Sequence, residues 1–400
     1  MSVSIENKFI SNIIISVLFF SLLISQSPLL LSIGFRGVYS LPLSFFLILI
    51  VLIFSKRKIK NIGIVICFVV LLTASFSSFF WLEYKFVFLA FWMVNAILLV
   101  SVLKNEELLK FIEVATIFLF ILILGAIIAF ALAFSGVKSA GTIGGEFGRI
   151  HWYYTTLTNS RALNFIRPGG IYDEPGAFSF FICVVAYLRN ALNLDKAKTI
   201  YLLIGGLITF SIIHLFFLLL YVLSMPLKFK KLLIGIFIGT LLISILVFFG
   251  AEGAFQEFLI DRTINFLFNF SDNDRIIAFN NCFDIIRQNW WVVLFGINPY
   301  CLFDIERCVS NFSMICCNPL EPLTASGMFI SWPYYLGLSF LFFSVFIRKN
   351  NLLIIGLLLL FFQRPGIFTA GYSLAFVLCI SLSFKNRFRF SMNSLDRNQG

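Results

Sequence analysis

Apolar residues in this chain gather into runs near 20 residues long, parted by short polar breaks. A run of ~20 residues crosses the hydrocarbon of a bilayer as a helix, and a helix satisfies its own backbone there. The runs lack the two-residue alternation of an outer-membrane barrel. They predict an all-α integral membrane protein with spans near 10–34, 38–54, 62–80, 86–103, 114–135, 177–192, 232–250, 328–347, 352–362 and 367–384. Two polar stretches, 136–176 and 251–327, interrupt the series. Neither is large enough to fold alone and no internal repeat is visible, so residues 1–400 read as a single polytopic domain.

The apolar stretch 199–227 sets the orientation. As one span it would put Lys228, Lys230 and Lys231 opposite Lys56, Arg57, Lys58 and Lys60. As a hairpin of two short helices, with its apex at Ser211-Ile212-Ile213-His214, it puts both clusters on one side and brings the total to about twelve spans. Each arm of ~14 residues covers only ~21 Å, so the apex is expected within the membrane, in a protein-lined or water-filled cavity. His214 there is read first as a hydrogen-bonded packing residue and second as a catalytic group. With the hairpin, short loops and tails carry 19 Lys and Arg on the inner side against three (Arg36, Lys85, Arg364) on the outer. Both termini are then cytoplasmic and both long loops extracytoplasmic.

Composition agrees: 60% hydrophobic, 12% charged and a mean hydropathy of +0.98 exclude a soluble core. The net charge of +11 is strung along short loops, which is the positive-inside signature and not a nucleic-acid stripe. The first apolar segment is too long for a signal-peptide core and no A-x-A-like site ends it, so an uncleaved anchor is expected. Five cysteines (282, 301, 308, 316 and 317) fall in the second loop, which permits at most two disulfides among them. Their spacing is not a zinc pattern, and no metal or cofactor is expected.

In the first loop, Gly141, Gly144, Gly145 and Gly148 read as flexibility, and no strand is expected before them. In His151-Trp152-Tyr153-Tyr154, aromatic rings suit either sugar stacking or an interfacial belt. The loop ends Arg167-Pro168-Gly169-Gly170-Ile171-Tyr172-Asp173-Glu174-Pro175-Gly176. Pro-Gly-Gly predicts a tight turn, Asp173 or Glu174 an N-cap, and Pro175 the first helical position. A helix N-terminus with an arginine nearby favours anions such as phosphate; alternatively the acids only cap the helix and Arg167 pairs with one of them. In the second loop, Ile276, Phe279, Phe283 and Ile286 recur on one face of an amphipathic helix expected near 272–289 at the outer interface. Arg275 opposes the dipole of that helix, which motivates either a phosphate site or pairing with Asp272.

The 167–176 run entering a span resembles the signature of the O-antigen polymerase and O-antigen ligase superfamily of bacterial envelope enzymes. Three later features agree with it: the polar break near Ser211, where Ile212 stands in place of the family's frequent Arg; the segment from Arg275 to Gly296-Ile297-Asn298-Pro299; and the closing run Asn318-Pro319-Leu320 to Ser326-Gly327-Met328. The ligases typically carry His just before that Asn, where this chain has Cys317, so the resemblance points to the polymerase (Wzy-type) branch.

The resemblance implies a glycosyltransferase of the bacterial inner membrane. It would join lipid-linked repeat units, carried on undecaprenyl pyrophosphate, into a polysaccharide such as O-antigen of lipopolysaccharide or capsule. A chain-length regulator is a possible partner under that reading. Arg167 and Arg275 are then the first candidates for pyrophosphate, and Arg287 and Arg364 the next. Glu174 is the candidate base, followed by Asp173. Trp152, Tyr153 and Asn318 are candidates for sugar. The alternatives are an O-antigen ligase, a lipid-linked sugar flippase or other transporter, and a receptor-like scaffold.

Overall fold

The computed structural model describes residues 2–25, 27–32, 40–55, 59, 61–144, 150–162, 165–225, 274–297, 301, 305–312, 315, 318–347, 352–366 and 369–396. The expected span at 232–250, the lysine clusters at 56–60 and 228–231, Arg36, Gly145, Gly148, residues 251–273, Cys316 and Cys317 lie outside them.

The fold is mostly helical. Helix α1 (Ser2–Phe19) continues as a wider turn over Phe20–Ile24, and α2 is the short Pro28–Ser32. Next come α3 (Ser40–Ser55), α4 (Asn61–Trp81), α5 (Lys85–Val102) and α6 (Asn105–Phe134). Past the first polar stretch lie α7 (Pro175–Ala191), α8 (Lys196–Gly205) and α9 (Ile212–Leu223). The last part holds α10 (Asp274–Gln288), α11 (Trp291–Phe295), α12 (Ile305–Phe312), α13 (Glu321–Ser326), α14 (Met328–Ile347), α15 (Leu352–Gln363) and α16 (Ala370–Asp396).

Among the described residues four helices, α4, α5, α6 and most of α14, are long and apolar enough to cross a membrane. Helix α4 shows the inverted amphipathy of such a span. Ile62, Val65, Phe68, Leu72, Phe76 and Phe79 are exposed along one face. The small residues Gly63, Ala74 and Ser77 are buried on the other. In lipid there is little hydrophobic drive between helices, so small residues that let backbones approach do the packing. Gly356 on α15 works the same way: a Cβ there would lie 2.7 Å from the Phe217 ring of α9.

Two regions add to the sequence expectations. The first polar stretch, expected as a loop, contains strands. It folds into a four-stranded antiparallel meander, β1 (Gly141–Gly144), β2 (Ile150–Tyr153), β3 (Leu157–Ala162) and β4 (Phe165–Gly170), so the protein is not purely helical. The sheet closes over the last turns of α6, where Tyr154 and Ile166 pack on Ala129 and Ala133. Helix α7, expected to be one span among many, is the centre of the bundle, with every residue from Ala177 to Arg189 buried. Length and apolarity cannot distinguish a lipid-facing helix from one enclosed by protein.

The hairpin at 199–227 is present. Helix α8 tightens into a 3-10 turn over Gly206–Thr209, the chain reverses at Phe210, which takes a left-handed φ of 49°, and Ser211 starts α9. His214 lies in the first turn of α9 and is fully buried. Its Nε2 meets the Leu203 carbonyl at 2.7 Å, and its Nδ1 lies 3.1 Å from Ser179 Oγ on α7. Both ring nitrogens are thus engaged in joining the hairpin to the central helix, as expected of a packing residue.

Candidate functional site

The N-terminus of α7 is built as its sequence dictates. Glu174 is the N-cap in extended conformation, and Pro175 occupies the first helical position, where its missing N–H costs nothing. Arg167 and Pro168 belong to strand β4, and the turn comes slightly later than Pro-Gly-Gly suggested. Gly170 takes φ of +68°, and the Tyr172 N–H donates to the Gly169 carbonyl at 3.0 Å. A Cβ on Gly169 would press on the Tyr172 carbonyl oxygen, 2.8 Å away, so the turn needs both glycines. Tyr172 is then buried between Phe178 and Phe181, and that burial pushes its phenol well above the ordinary range.

The Glu174 side chain does not cap its own helix. It pairs with Arg364, which follows the last residue of α15. The guanidinium lies against the first turn of α7, so close that a Cβ on Gly176 would sit 2.7 Å from Arg364 Nη2. Next to Arg364, the Gln363 amide lies against the Arg275 guanidinium; assigned with its oxygen toward that group, it accepts from both terminal nitrogens at 2.6 and 2.7 Å. Segments 190 residues apart thus bring Arg364 and Glu174 together at one helix N-terminus, with Arg275 joined to the neighbouring Gln363. Asp173 is half-buried in the adjoining turn.

Arg167 is elsewhere in the same region. Its Nη2 donates to the carbonyls of Thr209 (3.3 Å) and Phe210 (3.1 Å), the C-terminal end of the first hairpin arm. A cation suits that end of a helix, and this one holds the strained reversal in place. The Glu174 cap pairs with Arg364. Arg287 is exposed in the last turn of α10, about 18 Å along the axis from Arg275.

The sugar candidates are dispersed. Trp152 packs half-buried on the α6 end, while Tyr153 is exposed at the rim of the sheet. Asn318 is buried and shapes a turn, accepting from Leu320 N at 2.9 Å and donating to the Ile315 carbonyl at 2.7 Å. Its neighbour Cys282 is a buried thiol whose burial raises its pKa. Cys301 and Cys308 form a disulfide.

Helix α10 runs over Asp274–Gln288 against the expected 272–289. It packs inward through Ala278 and Cys282, supported by Ile285. Phe279 and Phe283, expected on its apolar face, are exposed. Glu321, at the start of α13, escaped notice in the sequence. Its Glu-Pro pair repeats the Glu174-Pro175 helix start, which was the available signal. No family model, curated protein or solved structure matches this chain.

Proposed function

We propose that the protein is a polysaccharide polymerase of the bacterial inner membrane, joining repeat units carried on undecaprenyl pyrophosphate at the extracytoplasmic face. The observation that carries this reading is the pairing of Arg364 with Glu174 at the α7 N-terminus, with Arg275 anchored beside it. A helix N-terminus already favours anions. The Arg364 guanidinium lies against that N-terminus, and Arg275 is joined to the next residue, Gln363. A guanidinium has five donors, so Arg364 can hold a phosphate oxygen and keep Glu174 in reach.

In the proposed step, an acceptor hydroxyl attacks the anomeric carbon of the donor sugar. The bond from that carbon to the pyrophosphate oxygen breaks, and the leaving group departs with the electron pair. Arg364 and Arg275 stabilise the developing charge, and Glu174 takes the acceptor proton. Arg167 serves in this reading as the clasp of the hairpin. The disulfide Cys301–Cys308 suits an oxidising compartment for the second polar stretch.

Glycan analysis in cells lacking the protein tests the reading. Single repeat units on the outer-membrane acceptor, without polymer, are expected of a polymerase. Loss of all attached glycan would indicate a ligase or flippase instead.

A further inference from the structure

A cleft of about 470 Å³ opens where the end of α4 meets α10 and α11, within the ~300–1,000 Å³ typical of small-ligand sites. Four aromatic side chains line it: Phe80, Trp81, Trp291 and Phe295. Its walls are fixed. The Trp81 indole N–H donates to the Phe295 carbonyl at 2.8 Å, and Phe80 stacks on Phe295 with ring centroids 3.7 Å apart. Trp291 is half exposed and stacks on Trp290, with centroids 4.0 Å apart. Gln288 and Asn289 supply two primary amides at the rim. The Asn289 oxygen accepts from Trp291 N at 3.2 Å.

We propose that this cleft is a carbohydrate subsite in which a neutral pyranose stacks on Trp291 while the Gln288 and Asn289 amides bind its hydroxyls; the proposal rests on the glycosyl-transfer reading above. The lining selects the ligand class. Among the described residues no charged side chain lines the cleft, so nothing there would hold a phosphate. An acyl chain would leave the two amides without use. A sugar ring matches both halves, with apolar C–H faces for the rings and hydroxyls for the amides. Position agrees. Helix α10 begins at the arginine cluster and ends at the cleft, and Arg275 to Gln288 spans about 20 Å along its axis. A ligand that is anionic at one end and a neutral chain beyond it would follow that helix from one site to the other.

The test uses the full chain in lipid nanodiscs. The probe is the oligosaccharide freed by mild acid from the producing cell's own lipid-linked precursor and labelled at its reducing end. Equilibrium dialysis should show binding to the wild type and at least a tenfold weaker affinity for Trp291→Ala. The same loss is expected for Gln288→Ala, an exposed helical substitution that keeps the test valid should Trp291→Ala fold poorly. No binding by the wild type, or equal binding by both variants, overturns the subsite. So does quenching of the cleft tryptophans by brominated lipid, which would make it a bilayer-facing surface. Polymer made in cells separates this idea from the reading beneath it. If Arg364→Gln stops polymer while Trp291→Ala and Gln288→Ala change neither sugar binding nor polymer length, the reading stands and the subsite falls. If none of the three alters polymer, the glycosyl-transfer reading falls and takes the subsite with it.

Discussion

Helix α7 carries an arginine–glutamate pair at each end. At its C-terminal end Arg189 is fully buried and makes four hydrogen bonds: it donates to Glu113 at 3.0 Å, to Thr116 at 2.9 Å, to Thr199 at 3.1 Å and to the Asp195 carbonyl at 3.3 Å. A cation there agrees with the helix dipole. At the N-terminal end Arg364 opposes the dipole, and its side chain and that of Glu174 are 14% and 22% exposed. One pair ties α6, α7 and α8 into a bundle. The other places positive charge where a helix already attracts anions and leaves it within reach of solvent. In the proposed reading the same two residue types serve structure at one end of the helix and anion binding at the other, and burial and helix polarity make the difference.

Four substitutions can break or sharpen this contrast. Arg189→Ala should have the largest effect. It strips the donor from two buried hydroxyls and from Glu113, at a cost on the order of 3 kcal/mol. Thermal unfolding in detergent and the amount of protein in the membrane should both fall. A variant of normal stability would remove the structural half of the contrast. Arg364→Gln should cost less, on the order of 2 kcal/mol for a pair mostly but not fully buried, yet reduce polymer formation ~100-fold. Arg275→Gln acts on the same site from its edge, and a reduction of ~10-fold is expected, read as fewer repeat units per chain on a glycan gel. Arg167→Ala should cost ~1 kcal/mol by freeing the Thr209 and Phe210 carbonyls, seen as faster hydrogen exchange across 206–214. Loss of polymer at unchanged stability in that variant would place Arg167 with the pyrophosphate groups after all.

Local grammar was readable from the sequence. The N-cap at Glu174, proline at the first position of α7, the hairpin break beside Ser211 and the extent of α10 each depend on a few neighbouring residues. The sheet was not readable, because its strands are only four to six residues long and show no sustained alternation of apolar and polar residues. The burial of α7 was hidden because a helix enclosed by protein and a helix facing lipid are both apolar. The pairing of Glu174 with Arg364 joins residues 190 apart, and no local pattern encodes that separation. The motif therefore drew attention to Arg167, which is close in sequence, while Arg364 is close to Glu174 only in space.

The most direct measurement is glycan chain length in cells where Arg364→Gln replaces the wild-type chain at equal membrane abundance. The expected result is single repeat units with polymer reduced ~100-fold, from a protein that still unfolds cooperatively. Polymer of normal length from that variant would show that the outer pair is as purely structural as the inner one, and would contradict the assignment of the α7 N-terminus as the site.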